Sequence, residues 1–219
     1  MNPNVPGIAH KWVLLDADGV VQSPNQSFGD ALVGIAGPTA EAWLARTFRG
    51  NGPVITGQLE VLPLLREFLD SAGVDADPQD VYSRLWEGIQ VHEDVLELVD
   101  KWRGTGHLVA LTTNQDAGRA RFMKTRLGFD ERFDRSFYSC DLAVGKPSAS
   151  YFERVLSDLQ IEPSEAVFID DSSANVASAQ RLGINAHRWE RGDDLDALVS
   201  HVGAAPTATS ADADATSLG

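Results

Sequence analysis

The chain has 219 residues, 43% hydrophobic and 23% charged, the make-up of a soluble globular protein with one medium domain, or one domain carrying an insertion. Its 18 basic and 32 acidic residues leave a formal charge of −14 with no basic stripe, which argues against nucleic acid or an anionic membrane as partner. No apolar run approaches the roughly 18 residues of a membrane span, the start MNPNVPGIAHK lacks a signal-peptide layout, and Cys140 is the single cysteine, so a reducing cytoplasm is the expected location.

The first element is WVLL, residues 12–15, whose unbroken apolar run predicts a buried strand. It leads straight into Asp16-Ala17-Asp18-Gly19, a poor place for two like charges unless something there attracts them. From about Gln22 to Gln90 no convincing strand follows. TAEAWLARTF (39–48), QLEVLPLLREFLDSAG (58–73) and DPQDVYSRLWEGI (77–89) read as helices with glycine-rich joints such as RGNGP (49–53). Pro63 has to fall in a first turn or at a kink. Beyond residue 90 the pattern alternates. Helices are predicted at 93–104, 116–128, 148–160 and 173–183, and strands at 107–111, 133–138, 166–169 and 184–187. Two of these helices end in Leu-Gly, a natural stop. The alternation predicts an α/β fold, a Rossmann-like parallel sheet with helices on both faces, built from residues 1–21 and 91–202. A helical cap insertion, 22–90, interrupts it, and 203–219 has the composition of a disordered tail.

Ligands of open α/β sheets bind at the carboxyl ends of the strands. Those ends carry Asp16-Ala17-Asp18-Gly19, Thr112-Thr113-Asn114 and Asp170-Asp171-Ser172, and a Gly145-Lys146-Pro147 turn precedes the helix at 148, with Pro147 suited to its first turn. Each piece alone is common. The four in this order resemble the haloacid dehalogenase superfamily, with its Asp-x-Asp-Gly, Thr/Ser-Asn, Lys-Pro and acidic-pair motifs. The resemblance covers roughly residues 11–190 and is weak over 22–90, which resembles the small helical cap that one subgroup carries.

That resemblance implies roles. Asp16 would be the nucleophile that forms an aspartyl-phosphate, and Asp18 the acid and base serving the leaving alcohol and the water. Gly19 would let the backbone turn sharply behind them. Thr113, Asn114 and Lys146 would hold the phosphoryl oxygens, Lys146 supplying the local cation that the composition lacks. The superfamily places Mg²⁺ on the side chain of Asp16, the backbone carbonyl of Asp18 and the acidic pair, with Asp171 as the direct ligand and Asp170 behind it. Physics agrees that a cation is wanted. Two carboxylates ~4 Å apart repel by roughly 4 kcal/mol at an effective dielectric of about 20, and one lysine cannot hold three carboxylates and a phosphate ionised. Carboxylate-and-water sites that share a substrate phosphate suit Mg²⁺.

The implied function is a Mg²⁺-dependent phosphatase acting on a small phosphorylated metabolite. Three alternatives share the fold: a phosphomutase, a 2-haloacid dehalogenase, which needs no metal and no acid at Asp18, and a silent metabolite-binding module. An EF-hand calcium loop also begins Asp-x-Asp, but it needs an acidic or Asn residue where Val20 stands, and Ser27 replaces its terminal Glu. Asn175 reads equally as an organiser of the acidic loop or as a first-turn helix residue. Cys140 reads as a small core residue, and the five histidines show no metal-ligand spacing. Trp43, Phe48 and Trp86 read as insertion core, with the substrate side of the cap as the other possibility.

Overall fold

The computed structural model describes residues 11–203, so the tail expected at 203–219 lies, apart from Gly203, outside the described residues. After β1 (Trp12–Leu15) come β2 (Gln22–Pro24) and four helices, α1 (Phe28–Ala36), α2 (Thr39–Thr47), α3 (Val61–Ser71) and α4 (Pro78–Trp86). Then follow β3 (Ile89–Val91), α5 (Glu93–Gly104), β4 (Leu108–Thr113), α6 (Ala117–Thr125), α7 (Phe129–Arg132), β5 (Arg135–Tyr138) and α8 (Ser139–Leu142). The chain continues through α9 (Ala149–Leu159), β6 (Ala166–Asp170), α10 (Ser173–Arg181), β7 (Asn185–Arg188) and α11 (Leu195–Gly203).

Five strands form one parallel sheet in the order β5-β4-β1-β6-β7, with β1 at its centre. Alternate residues of β1 feed opposite cores. Val13 and Leu15 join Val95, Val99 and Met123 on one face, whereas Trp12 and Leu14 join Phe152, Val155 and Ala179 on the other. Burial on both faces is why β1 is apolar throughout instead of alternating. Strands β4 and β6 run further at their carboxyl ends than their apolar stretches suggested, whereas β5 starts two residues later than the expected 133–138. β4 takes in Thr112 and Thr113, and the polar Thr112 is tolerated in the sheet because its hydroxyl donates to the Leu15 carbonyl at 3.1 Å.

The expectation of no strand between 22 and 90 is corrected. β2 and β3 pair antiparallel, with Gln22 opposite Val91 and Pro24 opposite Ile89. Strands of three residues are too short to carry a period-two signal, and Pro24 reads as a breaker. His92 locks this hairpin. Its backbone N–H donates to the Val21 carbonyl at 2.9 Å, and its ring bridges the Val20 carbonyl (2.8 Å) and the Ser23 hydroxyl (3.0 Å). This buried histidine is therefore structural.

Between the two hairpin strands α1–α4 bury a core of their own that includes Leu32, Trp43, Leu65, Phe68 and Trp86. α3 buries Val61, Leu65, Phe68 and Leu69, a helical stripe, and Pro63 falls in its first turn, where no N–H is lost from the ladder. The α2–α3 loop presses on the sheet domain. Gly57, at φ +72°, lies so close to the Cys140 carbonyl that a Cβ would sit 2.4 Å from that oxygen. Ser139 Oγ donates to the Ile55 carbonyl at 2.7 Å, and the Gly145 N–H donates to Asn51 Oδ1 at 2.6 Å. No helix among the described residues is long and apolar enough to cross a membrane.

Cys140 is half-buried, and burial, with Asp141 beside it, pushes its thiol up to about 11. Since the thiolate is the nucleophile, the folded protein is expected to react with iodoacetamide at pH 8 on the order of 10²-fold more slowly than in urea. Folded-state labelling should accelerate as pH rises toward 11. Because the unfolded thiol ionises first, this group also withdraws stability above about pH 8.5. Equal labelling rates for folded and unfolded chain would refute the burial effect.

Candidate active site

The end of β1 is turned back on itself by one residue. The Ala17 carbonyl accepts from the N–H groups of Val20, Val21 and Gln22 at 3.2, 2.8 and 2.9 Å, and the Gly19 N–H donates to the Gln22 carbonyl at 2.8 Å. This knot places Asp16 and Asp18 side by side at the strand end. Gly19 has φ +83°, and a Cβ there would stand 2.4 Å from the Asp171 carboxylate. The motif therefore needs glycine twice over, for its backbone angle and for the close approach of the acidic pair.

Lys146 reaches the same strand ends from the loop between α8 and α9. The Asn114 carboxamide clamps its backbone, Oδ1 accepting from the Lys146 N–H at 2.8 Å and Nδ2 donating to its carbonyl at 2.8 Å. Pro147 precedes the cap residue Ser148 rather than lying in the first turn of α9, a one-residue correction. The Lys146 ammonium is only 1% exposed and meets the Thr112 carbonyl (2.8 Å), Asp170 Oδ2 (2.6 Å) and Asp16 Oδ1 (2.8 Å). Burial pulls its pKa down, but Asp16 and Asp170 outweigh that and hold it above the usual lysine range.

Asp170 ends β6 fully buried, accepting from Lys146, from the Ser172 N–H at 2.8 Å and from the Asn175 carboxamide at 2.9 and 3.0 Å. Asn175 thus orders the acidic loop from the first turn of α10, so both readings of it hold. Asp171 is half-buried beside Gly19. One carboxylate oxygen each from Asp16, Asp170 and Asp171 lies within 4.8 Å of the others. The crowding has an electrostatic cost. Burial pushes Asp16 well above the carboxylate range, with Asp170 adding to it and Lys146 opposing; burial and then Asp170 also raise Asp171. Three hard oxygen donors, two of which, Asp16 and Asp171, are raised by burial and crowding, form a donor set that fits Mg²⁺.

Asp18 is held quite differently. Arg119 grips it with both terminal nitrogens (2.6 and 2.8 Å), and the Gln115 and Gln22 carboxamides donate to it at 2.7 and 3.1 Å. Burial alone would raise its pKa, but Arg119 first, then these hydrogen bonds, bring it below the usual range. The Gln115 carboxamide also donates to Thr113 Oγ1 at 2.9 Å. Sequence reasoning missed Arg119, Gln115 and Gln22. A signal existed for two of them. Asp116 caps α6 by accepting from the Gly118 and Arg119 N–H groups, and residues 115 and 119, four apart, then share a face at the end of β4.

Of the three aromatic residues singled out, Trp43 stacks on Phe68 inside the insertion (centroids 4.9 Å apart). Phe48 and Trp86 stack on each other at 5.3 Å and border a cavity.

The family model described as haloacid dehalogenase-like hydrolase matches residues 10–183. D-ribitol-5-phosphate phosphatase of Bacteroides thetaiotaomicron is 33% identical over 61 residues, 28% of this chain and 30% of that protein. The chain spans only 14 to 30% of the length of the first curated relatives it matches. Among solved structures, a HAD family enzyme from B. thetaiotaomicron, in complex with magnesium and inorganic phosphate, superposes with TM-score 0.73 at 21% identity, over 86% of this chain and 98% of that one. The L-2-haloacid dehalogenase of Xanthobacter autotrophicus superposes with TM-score 0.62 at 19% identity, over 89% and 84%.

Proposed function

The chain belongs to the haloacid dehalogenase-like hydrolase family, and from that premise we propose that it is a Mg²⁺-dependent phosphatase releasing inorganic phosphate from a small phosphomonoester. The observation that carries this reading is the convergence of Asp16, Asp170 and Asp171 at one rim of the sheet with a single buried lysine. Asp16, Asp171 and the Asp18 carbonyl would hold the metal, with Asp170 behind them fixing Lys146. Bound there, Mg²⁺ supplies positive charge that keeps the carboxylates ionised and screens the phosphate from its attacker.

The chain's own groups then divide the work. An Asp16 carboxylate oxygen bonds to phosphorus as the bond to the alcohol oxygen breaks, and Asp18 delivers the proton that the departing alkoxide takes. Water next attacks phosphorus, the Asp16–phosphorus bond breaks, and Asp18 recovers a proton, leaving alcohol and inorganic phosphate. Since Arg119 holds Asp18 ionised in the observed arrangement, Asp18 has to leave that grip to carry a proton to the alcohol. Lys146 stabilises the charge on the transferring group; Asn114 supports it by clamping its backbone, and Thr113, whose hydroxyl accepts from Gln115, would meet the phosphoryl oxygens. Residues 22–90 act as the cap that keeps bulk water from this rim. The lone Cys140 suits a reducing compartment such as the cytoplasm.

With Mg²⁺ the protein is expected to release phosphate from an aryl phosphate, and EDTA to reduce the rate at least ~100-fold, reversibly on adding Mg²⁺ back. Phosphatase activity that survives EDTA would sink the metal assignment. Release of halide from a 2-haloacid, indifferent to EDTA, would favour the dehalogenase alternative.

A further inference from the structure

Above the site lies a cavity of ≈ 330 Å³ between the helical insertion and the sheet domain. Its wall is Phe28, Leu44, Phe48, Ile55 and Trp86, with no charged side chain among them. The rings form a braced surface. Trp86 stacks on Phe28 (centroids 5.3 Å apart, planes 6° apart), on Phe48 (5.3 Å) and on Tyr82 (5.6 Å, 1°).

The floor is Asn114, Gln115, Asp116 and Arg119, and each is engaged within the protein. Arg119 gives its terminal nitrogens to Asp18 and Gln115 and its Nε to the Trp86 carbonyl at 2.8 Å, with its guanidinium carbon 5.3 Å from the centre of the Phe28 ring. Asp116 Oδ1 takes the Tyr82 hydroxyl at 2.7 Å and two α6 N–H groups. Asn114 is tied to the Lys146 backbone and Gln115 to Asp18 and Thr113. The cavity's one cation is thus already bound to a carboxylate, and it has no spare positive charge for a second phosphate or a carboxylate. A polyol placed against the wall would bury hydroxyls without partners, which is unfavourable. Position completes the argument. Gln115 and Arg119 border the cavity and hold Asp18, the group that meets the leaving oxygen, so the carbon skeleton behind that oxygen extends into this space. At about twice the ~150 Å³ of an apolar cavity that accepts benzene, it has room for one ring with substituents.

We propose that this cavity is the leaving-group pocket, and that the substrates are phosphomonoesters of apolar, uncharged alcohols, aryl, alicyclic or branched, in preference to sugar phosphates and nucleotides. The proposal rests on the phosphatase reading and goes past it by naming the alcohol. The test uses the full chain with Mg²⁺ and unactivated esters, so that leaving-group reactivity does not decide the result. Benzyl, cyclohexylmethyl and 3-methylbutyl phosphates are compared with glycerol phosphate, a hexose 6-phosphate and a nucleoside 5′-phosphate. The apolar esters are expected to have kcat/KM values at least ~30-fold higher. Leu44→Glu and Phe48→Ser, each checked by thermal melting, should cut that ratio at least ~10-fold. Should neither variant fold, inhibition of the natural chain by benzylphosphonate at least ~10-fold stronger than by methylphosphonate reads the same pocket. Phosphate release that is equal or faster from the polar esters overturns the apolar assignment and leaves the phosphatase reading standing. No release from any ester with Mg²⁺ present overturns both.

Discussion

Asp16→Asn is expected to abolish phosphate release, by on the order of 10⁶-fold, the scale on which a covalent mechanism fails without its nucleophile, while the fold survives. An amide oxygen can accept the hydrogen bonds that Asp16 Oδ1 now takes from Lys146 at 2.8 Å and from the Ala17 N–H at 2.7 Å. It brings no negative charge into a site where burial and Asp170 already oppose the charge of Asp16. The sign of the stability effect follows. A carboxyl whose folded pKa is raised destabilises the fold at every pH above its unfolded value of about 3.9, because the unfolded chain loses that proton more easily. Removing the ionisable group removes that penalty, so metal-free Asp16→Asn should melt no lower than the natural chain at pH 7. The stabilisation that Mg²⁺ gives the natural chain should shrink in the variant, since one of three carboxylates is gone. Calorimetry with and without Mg²⁺, beside a phosphate-release assay, reads all three effects. Turnover within tenfold of the natural chain would mean that the nucleophile is another group.

How much of this was legible in the sequence depended on the kind of signal. β1, β4 and β6 carry apolar runs because the sheet is buried on both faces, and the parallel order followed from helices between strands. α5 was legible to the residue, with acids in its first turn, bases in its last and buried Val95, Leu96, Val99 and Trp102 at helical spacing. The insertion was harder to read. α1 buries only Leu32 and contains two glycines, and its cap is the weak 3.3 Å bond from the Asp30 N–H to Ser27 Oγ, so neither period nor propensity announced it. α11 buries just Leu198 and Val202, four residues apart, too little to separate from a loop. At the site, motif spacing named the residues at the strand ends because short turns hold them there. Arg119 was missed: the spacing of Gln115 and Arg119 was its one local sign, and its pairing with Asp18 and the Trp86 carbonyl, 101 and 33 residues away, left none, because a long-range pairing has no local period. That omission matters chemically, since Arg119 decides the charge on Asp18 and links it to the insertion.

Lys146→Met should cost more stability than any other exchange at the site. Its ammonium is buried with two carboxylates, at 2.6 and 2.8 Å, and removing one partner of a buried ionic cluster typically costs about 3–5 kcal/mol because the opposite charges are left uncompensated. For a chain of this size that corresponds to a fall in Tm of roughly 6–20 °C. Methionine nearly preserves the volume, so a cavity is not the cause. The pH dependence identifies the cause. Lys146 is held above its usual range, so its contribution is fully present below the unfolded lysine value of about 10.4 and is lost as pH rises through the higher folded one. In the variant the lysine no longer opposes the burial that raises Asp16, and the deficit should widen from pH 4 to pH 7 because the unfolded chain releases the Asp16 proton more easily than the folded one. Mg²⁺ should then raise the Tm of Lys146→Met by more than it raises that of the natural chain, because a divalent cation at the carboxylate cluster returns part of the missing charge. Turnover should stay depressed at least ~10²-fold even with Mg²⁺ saturating, since the proposed mechanism uses this cation to stabilise the transferring phosphoryl group. A variant as stable as the natural chain at pH 7 without metal would show that the lysine is not what holds these acids together.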